Sequence, residues 1–289
     1  MTLSLVAEAA LSGLLLGCFY AAVSMGLAVA FGLVDVPHIA HPTFVVVGAY
    51  GTYILGGFGM DPLIAGLVLM PLFFLVGTFV YQFYHLTFEK HGSEAGVRGL
   101  AFFFGLAFVI EAMLILKFGV DQNMADASYI GESLQLGDTR IPYRMLIALA
   151  IGVMLTVVLG LYLRLTFTGR ALKAVAQDEG ALLLVGANPV RIRRLGFGIA
   201  TAIAALAGAL LIIVGPVEPG TGRLYIGRAF AIVVLAGLGS IPGTLAAALI
   251  VGVTEMLVLS SVGASWASAV SFGILLLVLG FRPSGLFGR

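Results

Sequence analysis

Two carboxylic acids stand where carboxylic acids are expensive. Glu111 and Glu255 each fall inside a long apolar run, and a charge at the centre of a bilayer costs roughly 2.5–3.5 kcal/mol on insertion scales. Such a group is kept only with a partner or facing water. Two roles are open to each: contact with a solute's amine along a polar path, or a structural hydrogen bond to a neighbouring helix with the acid protonated. A second set, Asp35, His38 and His41, is spaced three apart and has the residue types of a metal site. Pro37 and Pro42 interrupt helical geometry there, and no fourth ligand is evident. Bonding to backbone carbonyls freed by the interruption, or lining a pathway, is the better reading. His85 and His91, beside Glu89 and Lys90, read as a solvated turn. No GxxxxGK[ST] phosphate loop is present, and the only lysines are Lys90, Lys117 and Lys173, none in such a context. The chain is therefore not expected to hydrolyse ATP, and nothing in it calls for a cofactor.

The elements that must hold these groups follow from the solvent. Of 289 residues, 61% are hydrophobic and only 10% charged, where soluble domains carry about 25% charged residues. One water-soluble core cannot hide so much apolar surface, so lipid covers the remainder. The 39 glycines agree, because Gly lets membrane helices approach closely. A net charge of +1 without a dense basic stretch gives no footprint for nucleic acid. Cys18, the only cysteine, excludes an intrachain disulfide and a cysteine-based cluster. The stretch from Met1 to Gly17 lacks Lys and Arg and carries Glu8, which reads as a first membrane segment rather than a cleaved signal.

Apolar runs predict one all-α polytopic domain over 1–289. Its segments, about eight, lie near 3–33, 40–57, 62–84, 98–118, 143–163, 193–215, 226–260 and 264–281. The first and seventh runs are long and carry breaks, near 35–42 and near 237–243, the second containing Ser240 and Pro242. A break at membrane depth survives only against protein or a water-filled cavity, so both are candidates for lining a pathway. They also suggest an internal repeat, Ala28 to Leu55 against Val234 to Leu259. Gly196, Ala200, Ala204 and Gly208 form a small-residue stripe that reads as helix packing. Segments 85–98, 164–194 and 282–289 hold ten Lys and Arg, including Arg289; segments 117–144 and 216–228 hold five, with acids such as Asp138 among them. That asymmetry places the first set, and the C-terminus, in the cytoplasm.

Segment 164–194 is too polar to span and too regular to be a linker. Arg170 to Gln177 reads as a short amphipathic helix with Leu172, Val175 and Ala176 on its apolar face. Asp178 can cap a second helix, Glu179 to Val185, stopped by Gly186 with Pro189 beyond. Two such helices make a firm knob able to pass on the motion of a soluble partner. An interfacial helix resting on lipid, with Arg170 and Lys173 against headgroups, fits the same pattern.

The run Gly169-Arg170-Ala171-Leu172-Lys173-Ala174-Val175-Ala176-Gln177-Asp178, followed by Gly186-Ala187-Asn188, resembles the cytoplasmic motif of Liv-type branched-chain amino-acid ABC permeases. Phe230 to Gly243 is similar to that family's Gly-rich signature, Arg282-Pro283-Ser284-Gly285-Leu286-Phe287-Gly288 to its terminal motif, and Gly17 to Ala21 with Gly26-Leu27 to its opening. The blocks run in family order over nearly the whole chain. The resemblance implies an inner-membrane permease subunit of an ATP-driven importer in a bacterial cytoplasmic membrane. It would work by alternating access beside a second homologous permease, as a heterodimer. Two cytoplasmic ATPase subunits would dock on the 164–194 loop, and an extracytoplasmic solute-binding protein would deliver solute. The residues it implies for ATPase coupling are Gly169, Arg170, Ala174, Gln177, Asp178 and Gly186. The candidates for the solute pathway, drawn from the two breaks and the acids inside apolar runs, are His38, His41, Glu111, Ser240 and Glu255. Three positions depart from the family pattern: His38 and Pro42 replace an Asn and a Gly, and Glu111 stands where Gln is frequent. A stand-alone channel or secondary transporter would leave the helical 164–194 loop without a role, and an intramembrane enzyme would need a convergent constellation for which Asp35 with the two histidines is the only candidate.

Overall fold

The computed structural model describes residues 3–91, 95–136, 139–282 and 284–288; Met1, Asp138, Pro283 and Arg289 lie outside them. The chain forms α1 (Leu3–Gly32), α2 (His41–Gly56), α3 (Pro62–Thr87), a 3-10 turn (Glu89–His91), α4 (Ala95–Phe118) and a hairpin of β1 (Ser133–Leu136) with β2 (Thr139–Pro142). There follow α5 (Tyr143–Leu165), α6 (Phe167–Gln177), α7 (Glu179–Leu184), α8 (Pro189–Val214), α9 (Thr221–Ala236), α10 (Ile241–Ser261) and α11 (Ala264–Phe281). The antiparallel hairpin pairs Ser133 with Pro142 and Gln135 with Arg140.

Among the described residues, seven helices are long and apolar enough to cross a membrane: α1, α3, α4, α5, α8, α10 and α11. Two others fall short. α2 and α9 have 16 residues each, about 24 Å against an apolar layer of about 30 Å. The expected seventh segment, 226–260, is thus two helices with a break at 237–240, because Gly237 and Gly239 take positive φ (86° and 83°) and end the helical run. The helix α9 also starts earlier than the apolar run. Arg223 and Arg228, assigned from the sequence to an exterior segment, stand on this helix instead.

The helices α1 and α8 form the buried centre. Along α8, α3, α2 and α1 pack; α10 and α5 pack along α1. Small residues set these approaches. A Cβ on Gly17 would meet the backbone of Ala248 and Leu249, and one on Gly208 would meet Val45 and Ala49. The stripe Gly196, Ala200, Ala204, Gly208 is therefore a packing seam, as expected: close van der Waals contact is what holds helices together in lipid. Outward faces of α3, α4, α5 and α11 carry exposed Leu, Phe and Val, such as Phe79, Leu116 and Leu276.

The two ends of the bundle differ. The hairpin end gathers residues 119–136, β2 and the turn after α8, joined by an Asn123–Val217 bridge. The opposite end carries α6, α7, the Glu89 turn and the segment after α11.

Candidate functional site

The two half-length helices meet by their first turns. Gly26 of α1 lies against the His41 ring and the Ala200 carbonyl, which puts the start of α2 about 16 Å along α8. Gly222, at the start of α9, packs on Pro42 and Thr43. From that meeting level α2 runs to the hairpin end and α9 to the α6–α7 end. Asp61, Asn188 and Ser240 cap α3, α8 and α10 by accepting backbone N–H bonds. α2 relies on Pro42 in its first turn, so this proline starts a helix rather than breaking one.

Segment 33–40 returns the chain from the end of α1 to that level. Its backbone groups are paired locally, with Val36 N–H on Ala30 O at 3.0 Å and His38 N–H on Val36 O at 2.8 Å. Its side chains are less settled. Asp35 is the only described non-glycine residue with positive φ (58°). His38 is fully buried among the rings of Phe44, Phe103, Phe197 and His41, at centroid distances of 5.4, 5.0, 4.5 and 5.6 Å. Neither of its ring nitrogens has a hydrogen-bond partner among the described residues. The His41 Nε2 reaches Val23 O at 3.1 Å. Among the described residues no three His, Cys, Asp or Glu side chains gather as a metal site.

Each membrane glutamate is held by an arginine of α9. Arg228 Nη2 donates to Glu255 Oε1 at 2.8 Å, and Tyr20 Oη donates to Glu255 Oε2 at 3.0 Å. Arg223 lies 2.7 Å from Glu111 Oε1. A guanidinium supplies the counter-charge that lipid cannot. The pairs differ in setting: Arg228 is 20% exposed and Arg223 62%. Ser240 accepts from Gly243 N–H at 3.2 Å and thereby caps α10.

A cavity of about 720 Å³ opens between α4 and α9 on the α6–α7 side of that meeting level. Its wall includes Leu27, Phe31, Ile39, Leu100 and Phe230; its polar lining is Asp35, His38, Tyr84, Glu89 and Arg193. Of the five pathway candidates, only His38 lines it. Glu89, read from sequence as part of a solvated turn, is instead a hub. It accepts from Tyr81 Oη at 3.1 Å and Arg193 Nη1 at 2.9 Å, and lies 2.6 Å from His85 Nδ1. Arg193 also donates to Glu179 of α7 at 2.8 Å. These partners are up to 104 residues apart, so hydropathy could not join them. The one available signal was an acidic residue flanked by His85 and an Arg-rich run at 191–194 on the same predicted side.

The helices α6 and α7 form where expected, with longer reach at the front. Thr166 caps α6 by accepting from Gly169 N–H at 3.0 Å, so the helix starts at Phe167 rather than Arg170. Its buried face is Gly169, Ala171, Leu172 and Val175; Ala176, assigned to that face from the sequence, is exposed. Asp178 caps α7 through Ala181 N–H at 3.0 Å, and Gly186 takes φ 77° past its end. A Cβ on Gly169 would strike Tyr162 and Leu163, so this glycine lets α6 sit on α5. Leu172 and Val34 share the notch left by Gly196. Arg170, Gln177, Asp178 and Gly186 are exposed, and Ala174 half-buried.

The family described as branched-chain amino acid transport system / permease component matches residues 9–279. The chain is 27% identical to the high-affinity branched-chain amino acid transport system permease protein BraD of Pseudomonas aeruginosa, over 96% of this chain and 94% of that protein. It is 28% identical to the corresponding LivH of Escherichia coli K12, again over 96% and 94%. A probable LivH of Methanocaldococcus jannaschii is 23% identical over 92% of this chain and 87% of its own length. No solved structure matches. With broken half-helices meeting at mid-depth and a family match over nearly all its length, this chain belongs to the permease components of branched-chain amino acid transport systems.

Proposed function

We propose that this permease imports branched-chain or related amino acids by alternating access, driven by ATP hydrolysed in separate subunits. The observation that carries the reading is the tip of α7. Leu183, Leu184 and Val185 are 61%, 90% and 77% exposed on a short capped helix outside the long apolar segments, beside exposed Arg170, Gln177 and Asp178. An apolar knob with a charged rim suits a protein partner. Two cytoplasmic ATPase subunits supply it, one on this chain and one on a second homologous permease with which it forms a heterodimer. The α6–α7 end and the C-terminus face the cytoplasm, and the hairpin end meets an extracytoplasmic solute-binding protein. Relatives named for branched-chain amino acid transport, and the absence of a phosphate loop here, support this division of labour.

Co-purification tests it. Leu184→Asp with Val185→Asp, or Arg170→Glu, is expected to abolish recovery of an ATPase with the tagged permease and to abolish ATP-driven leucine uptake. Retained association with normal uptake sinks the docking assignment. A cysteine placed at Gln177 reports the side and the surroundings, since Cys18 is buried. Labelling from outside the cell, or protection by lipid with no partner present, overturns the reading.

A further inference from the structure

The cavity between α4 and α9 has no role in what precedes, and its polar groups are unequal. Glu89 is satisfied by Tyr81, His85 and Arg193, and Arg193 is shared between Glu89 and Glu179. Of the two carboxylates lining the cavity, Asp35 is the one that makes no hydrogen bond or ion pair among the described residues, and its side chain is exposed on the same wall. Among the residues lining the cavity, one guanidinium (Arg193) stands against the carboxylates of Asp35 and Glu89, which leaves the lining net negative. Further in, the fully buried His38 closes the inner end of the cavity, its ring enclosed by Phe44, Phe103, Phe197 and His41. Leu27, Phe31, Ile39, Leu100 and Phe230 make the rest apolar, and the volume of about 720 Å³ suits a small-molecule site.

We infer that this cavity is a binding station for a primary-ammonium solute with an aliphatic body, and that Asp35 anchors the ammonium. This rests on the importer reading and names a place for its solute. The left-handed backbone at Asp35 aims the one uncommitted carboxylate of the cluster, and Val34 beside it touches the notch occupied by Leu172 of α6. The station is thus one residue away from the docking loop. An aminophospholipid headgroup offers the same ammonium chemistry; a free solute is the occupant argued for.

The test is equilibrium binding of radiolabelled leucine to the complex purified through this permease, nucleotide-free, in phosphatidylcholine nanodiscs and without the soluble binding protein. Competitors are isopentylamine, which keeps the ammonium, and 4-methylpentanoate, which lacks it. The wild type is expected to prefer isopentylamine over 4-methylpentanoate by at least about tenfold. Asp35→Asn keeps a side chain tolerated in the left-handed region. It should weaken leucine about tenfold and erase the preference between competitors. Leu100→Trp, which fills the apolar wall, should weaken leucine and both competitors alike. An unchanged competitor ranking in Asp35→Asn, or unchanged leucine affinity in Leu100→Trp, overturns the inference. So does displacement of leucine by phosphatidylethanolamine added to the nanodiscs, which would assign the station to lipid. Failure of an ATPase to co-purify with the wild type would count against the importer reading alone, because leucine binding is read independently of it.

Discussion

The two breaks in this bundle, 33–40 and 237–240, solve one problem by opposite means. At 237–240 the left-handed turns fall on Gly237 and Gly239, which adopt them without steric cost. The carbonyls left free at the end of α9 are taken by a later segment: Leu286 N–H bonds Leu235 O at 2.8 Å and Phe287 N–H bonds Ala236 O at 3.2 Å. Ser240 caps the helix that follows. At 33–40 the left-handed position is an aspartate and the adjacent buried imidazole is unpartnered. The first joint is built for stability. The second retains unfavourable terms that glycine and a hydrogen-bonding partner would have removed, as expected where function constrains the chain. The two are also in contact, because a Cβ on Gly32 would meet Gly239.

Four predictions can break or sharpen that contrast. The largest effect should come from Glu255→Ala, which strands the mostly buried Arg228 that ties α9 to α10 across the rigid joint. A loss of about 3–5 kcal/mol is expected in equilibrium unfolding in mixed micelles. Adding Arg228→Met should recover much of it; no recovery would mean that the pair is not the source. Gly237→Ala comes next. Its φ of 86° disfavours a side chain, and the new Cβ would meet the backbone of Phe287 and Gly288. About 1–3 kcal/mol should be lost in the same assay, and a neutral result would remove the claim that the joint depends on glycine. Glu111→Ala should cost under about 1 kcal/mol, because Arg223 is 62% exposed and stays solvated without its partner. Asp35→Gly should be the smallest and of opposite sign. It should gain about 0.5 kcal/mol by relieving the left-handed aspartate, while leucine binding weakens. A clear loss of stability there would show that Asp35 serves the fold, and the contrast between the joints would dissolve.

Much of this architecture could be read from residue order, and the limits have a physical cause. Apolar runs located the long helices, because lipid imposes one length on them. Asp178, Gly186 and Pro189 located α7 and the start of α8, because caps act within a few residues. Both breaks were visible from Pro, Gly and Asp. What local reading missed is what distant segments supply. Arg223 and Arg228 looked like exterior charges, since nothing near them in sequence shows that Glu111 and Glu255 lie alongside. Glu89 looked solvated because Arg193 is 104 residues away. The proposed repeat is partial in three dimensions: a long helix precedes a short one at the first break, and a short one precedes a long one at the second. Five pathway positions were singled out, of which one lines the cavity; Asp35 was read as a poor metal ligand and as a group bonding freed carbonyls or lining a pathway.

The pinning of α9 by residues 286 and 287 bears on how the molecule is made. The carbonyls of Leu235 and Ala236 find their partners fifty-one residues downstream, so during synthesis that helix end must wait in the membrane with its acceptors open. The joint closes only after α10 and α11 have been inserted, which makes it a late event in assembly and a natural checkpoint for quality control.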